Sequence, residues 1–82
     1  MSQMIQITVR LTGSAATAAG EETLEYALVP PARLDVLLDL IGTRRPKLGG
    51  ILGECRITIN GANVDSAALL SHGDEVAILG PE

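Results

Sequence analysis

Apolar and polar residues alternate from Met4 to Leu11. Ile5, Ile7, Val9 and Leu11 fall on one side, and Gln6, Thr8 and Arg10 on the other. A period of two built on β-branched residues predicts a strand with one buried face. Thr12 to Glu21 is dominated by Gly, Ala, Ser and Thr and reads as a loose connection. Alternation returns from Glu22 to Val29, with Leu24, Tyr26 and Leu28 inward and Thr23, Glu25 and Ala27 outward, so the two stretches predict an amino-terminal hairpin. Pro30-Pro31 ends the second strand, because neither residue can donate a ladder hydrogen bond. Pro31 also suits the start of a helix, where a missing N–H costs nothing.

From Ala32 to Ile41 the period lengthens. Leu34, Leu37, Leu38 and Ile41 stand at i, i+3, i+4 and i+7, the stripe of an amphipathic helix. Gly42 is placed to cap it and Pro46 to stop it. Thr43 to Gly53, with Arg44, Arg45, Lys47 and several glycines, reads as a flexible basic connection. Glu54 to Asn60 predicts a third strand, with Cys55, Ile57 and Ile59 on one face and Arg56 and Thr58 on the other. Asn60-Gly61 is a tight-hairpin signal, because both central residues of such a turn need positive φ. Ala62 to Asp65 would return as a short strand and Ser66 to Leu70 would form a helical turn. His72-Gly73-Asp74 would turn the chain into a last strand, Glu75 to Leu79, with Val76 and Ile78 inward. The order β-β-α-β-β-β predicts an α+β domain over residues 1–82. About five strands form a mixed sheet, and one main helix covers a single face. The other face is left for solvent or a partner.

Composition narrows the chemistry. With one Tyr and no Phe or Trp, the core has to be aliphatic. The lone Cys excludes an internal disulfide and a Cys-rich metal site. The opening MSQMIQITVR lacks the basic start and apolar stretch of a secretory signal, and no apolar run reaches membrane-spanning length. A cytoplasmic protein without membrane association is expected. The formal charge of −4 argues against a nucleic-acid partner. No catalytic constellation, metal-ligand spacing or phosphate loop is present, so no enzyme activity and no cofactor are expected. Cys55, in phase with Ile57 and Ile59, reads as a core thiol rather than a sulfur relay. His72 reads as an exposed loop residue, and Asp74 and Glu75 as residues that shape the turn. Leu48-Gly49-Gly50 reads as a loop rather than a masked tail.

The run from Ile59-Asn60-Gly61 to Leu70, followed by Gly73-Asp74-Glu75-Val76-Ala77-Ile78, resembles the second half of the MoaD/ThiS family, the ubiquitin-like sulfur carriers that include the molybdopterin synthase small subunit. The resemblance implies a β-grasp fold. It also implies a carrier whose terminal Gly-Gly is adenylated by a partner, converted to a thiocarboxylate and threaded into a second enzyme. Here the chain runs Leu79-Gly80-Pro81-Glu82, and Gly80-Pro81 looks like the start of such a tail. About three more residues, or about 10 Å of extended chain, would complete it.

Two functions follow as expectations. The first is an accessory, partner-binding subunit of sulfur-carrier ancestry. The second is an active carrier, if the native terminus extends to Gly-Gly. By the resemblance, the partner is an adenylating enzyme, a molybdopterin-synthase-like large subunit or a metabolic enzyme complex. The contact surface comprises Thr8, Arg10, Arg56, Thr58, Ala77, Leu79, Gly80, Pro81 and Glu82.

Overall fold

The computed structural model describes residues 3–65 and 67–80. Its elements are β1 (Ile5–Thr12), α1 (Ser14–Ala19), β2 (Thr23–Leu28), β3 (Ala32–Arg33), α2 (Leu34–Arg44) and α3 (Pro46–Gly49). A 3₁₀ turn (Leu52–Glu54), β4 (Arg56–Ile59), β5 (Ala62–Asn63), β6 (Leu69–Leu70) and β7 (Glu75–Leu79) follow. The main sheet has the order β2-β1-β7-β4-β5, and β3 pairs with β6 in a separate two-stranded ribbon. The first and last strands run parallel at the centre, Thr8 opposite Glu75 through Thr12 opposite Leu79. The flanking pairings are antiparallel. This mixed sheet with its helices on one face is the α+β, β-grasp arrangement.

The two strand periods and the helical stripe meet in one aliphatic core. Ile7, Val9 and Leu11 from β1 and Val76 and Ile78 from β7 pack against Leu34, Leu37 and Ile41 of α2. Leu38, the fourth member of the predicted stripe, lies at the rim. The helix starts later than Ala32, which is drawn into β3 by pairing with Leu70. It also runs through Gly42 to Arg44, so Gly42 is an interior residue and not a cap. The reason is a close crossing of α2 and α3. A methyl group placed on Gly49 would lie 3.0 Å from the Gly42 Cα and 3.1 Å from its carbonyl oxygen. Pro46 does end the helix, and Arg45 before it has left the helical region, with φ −128° and ψ 77°.

Both connections read as loose are ordered. Residues 12–21 contain α1, which buries Ala15 and Ala19 and ends at Gly20 in the left-handed conformation. Small residues there serve close packing. Residues 43–53 contain α3 and the first two residues of the 3₁₀ turn, with Leu48 fully buried. In place of the helical turn expected over residues 66–70, Leu69 and Leu70 form β6; residue 66 lies outside the described residues. The strands are also shorter than expected. Val29 falls outside β2, Glu54, Cys55 and Asn60 outside β4, and Val64 and Asp65 outside β5.

The Asn60-Gly61 turn has φ of 52° and 84°, as its sequence requires. Asn60 also ties the hairpin to the turn before β7. Its Nδ2 donates to Asp74 Oδ1 at 3.0 Å, and its Oδ1 accepts from the Glu75 N–H at 3.0 Å. Asp74 Oδ2 accepts from the Ser71 N–H at 2.8 Å, so the carboxylate does shape the turn.

Candidate functional site

The face opposite the helices carries the residues between the inward positions. The strand registers set them in rows. Thr23, Arg10, Ala77, Thr58 and Asn63 cross all five strands of the main sheet in one row. Thr12, Leu79 and Arg56 form the next row, and Glu25, Thr8 and Glu75 the row on the other side. Thr8, Arg10, Arg56, Thr58, Ala77 and Leu79, far apart in sequence, therefore share one face. No helix covers it.

Their exposure is unequal. Arg10 and Arg56 are exposed, and Thr8, Ala77 and Leu79 are half-buried. Thr58 departs from the expectation of an outward, accessible residue. It is only 9% exposed, set between Ala77 on one side and Asn63 on the other. Arg10 Nε lies 3.2 Å from Glu75 Oε1, with both side chains well exposed. Such a pair is worth about 0–1 kcal/mol, so a partner could break it at small cost. Arg56 makes no ion pair among the described residues. The face is a polar surface around two apolar positions, Ala77 and Leu79.

At the end of β7 the chain is held by backbone packing. The Gly80 N–H donates to the Thr12 carbonyl at 3.1 Å. A methyl group on Gly80 would overlap the Ala15 backbone nitrogen and lie 2.7 Å from Ser14 Oγ and 2.9 Å from the Ser14 nitrogen. Gly80 is thus required where β7 passes the start of α1, a fit that reading it as the first tail residue does not predict. The signal was present in the Gly13-Ser14-Ala15 run of small residues, but only the fold brings it beside Gly80. Pro81 and Glu82 lie outside the described residues.

Other candidate groups lead away from catalysis. Cys55 is at the edge of the core, half-exposed rather than buried within it, because the strand begins only at Arg56. Its thiol donates to the Ile51 carbonyl at 3.2 Å. Burial, then the neighbouring Glu54 carboxylate, raises its pKa, which disfavours the thiolate. His72 is exposed, and its Nδ1 accepts from the Gln6 N–H at 3.0 Å. Among the described residues no group of His, Cys, Asp and Glu is arranged to hold a metal, and no helix is long and apolar enough to cross a membrane.

Comparison with known proteins gives the lineage. The sequence matches no curated protein. Its fold is similar to a protein assigned as molybdopterin converting factor subunit 1 from Pyrococcus furiosus, at 26% identity and TM-score 0.84, over 95% of this chain and 99% of that one. It is also similar to small archaeal modifier protein 1 from Methanosarcina acetivorans, at 28% identity and TM-score 0.76, over 96% and 95% of the two chains. A third similar structure is the complex of subunits 1 and 2 of molybdopterin-converting factor from Helicobacter pylori. There the identity is 25% and the TM-score 0.67, over 95% of this chain and 96% of that one. The family model described as the ThiS family matches residues 9–81, from the first strand to beyond the last. With that match over most of its length, the chain belongs to the ThiS family of small ubiquitin-like proteins.

Proposed function

We propose that the chain works by docking onto a larger protein, through the outer sheet face around Ala77 and Leu79 and along the end of β7 at Gly80. One observation carries this reading. The sheet face without helices sets Arg10, Ala77 and Thr58 in one row and Leu79 and Arg56 in the next, and this surface leads directly to Gly80. Arg10 stands beside Ala77 and Arg56 beside Leu79, so both guanidiniums border the apolar positions and are available for a partner's carboxylates. Thr8 and Thr58 would support the contact, and Pro81 and Glu82 would extend it. The chain is not itself a catalyst on this reading, needs no cofactor and acts in the cytoplasm.

The Helicobacter relative is a complex of a small and a large subunit, which supports a protein partner of that kind. An adenylating enzyme or a metabolic enzyme complex would use the same face. Leu79→Asp is expected to abolish co-purification with the partner from the native cell while the fold is kept. Unchanged co-purification would remove the proposal.

A second reading, sulfur carriage, is favoured by membership of the ThiS family. Both readings use the same face and differ in the chemistry at the tail. Intact-mass analysis of the protein from its native cell separates them. A tail ending in Gly-Gly, or the mass increment of sulfur replacing oxygen, identifies a carrier. Neither feature, together with stable co-purification, identifies an accessory subunit.

A further inference from the structure

The outer edge of β2 is the one long strand edge in the main sheet that no other strand covers among the described residues. Which of its backbone groups are free follows from the register. The Leu11 N–H donates to the Glu22 carbonyl at 2.8 Å, making residues 11 and 22 a hydrogen-bonded pair. Antiparallel pairs alternate, so Leu24, Tyr26 and Leu28 also direct their N–H and C=O groups at β1. Thr23, Glu25 and Ala27 must then direct theirs away from the sheet. The opposite strand agrees, because their partners' backbone groups turn towards β7: Thr8 N–H donates to the Asp74 carbonyl and the Gln6 carbonyl accepts from Gly73.

A shallow groove of about 670 Å³ runs along this edge. Leu24 and Tyr26 line its helix-facing side, and Arg44 and Arg45 from the end of α2 close one end. Arg45 Nη2 is held by Glu21 Oε2 at 2.6 Å. Arg44 is exposed and forms no ion pair among the described residues. The groove therefore offers free backbone donors and acceptors, a half-buried Tyr26 and an uncommitted guanidinium, all on one strand edge.

We infer that this edge accepts an extended acidic peptide segment of a protein partner, which adds to the sheet as a strand beside β2. Backbone hydrogen bonds to Thr23, Glu25 and Ala27 supply the pairing. On the helix-facing side of the added strand, alternate positions set an apolar residue beside Tyr26 and a carboxylate beside Arg44. On the other side neutral residues avoid Glu25. A second copy of this chain fits less well. Symmetric antiparallel pairing of two β2 edges, centred on Glu25, places the two Glu25 side chains directly opposite each other. This edge borders the outer sheet face, with β1 lying between it and the strand that carries Leu79.

The test titrates isotope-labelled protein with a synthetic octapeptide alternating threonine and valine, with its last two valines replaced by aspartate. The expected result is amide shifts concentrated at Thr23, Glu25, Ala27 and Arg44, unchanged in Leu79→Asp. Binding should weaken about tenfold in Arg44→Glu, and likewise when lysines replace the aspartates, the effect of losing one charge-assisted hydrogen bond. Ala27→Pro, which removes an outward N–H and leaves the β1–β2 ladder intact, should also weaken binding. Shifts confined to the outer sheet face, equal affinity in Arg44→Glu, or no binding of the peptide would overturn the inference. So would concentration-dependent dimerisation that protects the same edge amides without peptide.

Discussion

The two faces of the sheet are built from the same strands and do opposite work. On the helix-facing side, Ile7, Val9, Leu11, Val76 and Ile78 are at most 2% exposed and packed against helices. On the other side, Thr8, Arg10, Ala77, Leu79 and Arg56 alternate with them and meet no helix. Burial of a Val, Leu or Ile side chain contributes about 1.5–3 kcal/mol, whereas exposed ion pairs such as Arg10–Glu75 contribute about 0–1 kcal/mol. Stability is therefore concentrated on one face, and the other is free to vary with its partner. Neighbouring residues on one strand, Ile78 and Leu79, should fail in different assays.

Substitutions can break or sharpen that separation. Leu37→Ala, at a position with no exposure, is expected to lower unfolding free energy by about 2–5 kcal/mol in chemical denaturation. Gly80→Ala, where β7 passes the start of α1, should cost about 1–3 kcal/mol through backbone displacement, although the added group is a single methyl. Leu79→Asp should cost only about 1 kcal/mol, from lost partial burial and poor strand propensity, while it removes partner binding. A large loss of stability would show that the faces are not separable at that strand.

The smallest effect concerns pH. The folded chain retains the Cys55 proton at pH values where the unfolded chain has released it, because burial and Glu54 raise the thiol's pKa. This contribution is full below the unfolded value and is lost as pH rises through the higher folded value. Alkylation of Cys55 near neutral pH should be slow. The fall in melting temperature at alkaline pH should be slightly smaller in Cys55→Ala.

The core face was legible because its signal is periodic. The alternation in β1, β2 and β7 and the stripe in α2 each follow from local geometry. The Asn60-Gly61 turn was equally legible, since its positive φ values restrict the residues that can occupy it. Signals that depend on contact between distant segments were not. The Gly- and Ala-rich stretch before β2 and the glycine-containing stretch after α2 look like loops in isolation. They become helices because their small side chains allow backbones to approach closely, Gly13 and Ala15 against Gly80 and Gly42 against Gly49. Thr58 illustrates the same limit on the outer face. Alternation gave its side, but its low exposure depends on its neighbours in β7 and β5. The open edge of β2 also emerged only from the strand order.

The central parallel pair has a kinetic consequence. β7 joins β1 to β4, so the two halves of the main sheet have no direct hydrogen bonds to each other until residues 75–79 are available. During synthesis, the amino-terminal hairpin and α2 leave the ribosome well before the strand that closes the sheet. Because the central pairing links residue 8 with residue 75, folding waits on a long loop closure rather than on local contacts. The outer face is therefore assembled last, and a chain still tethered before β7 does not yet present it.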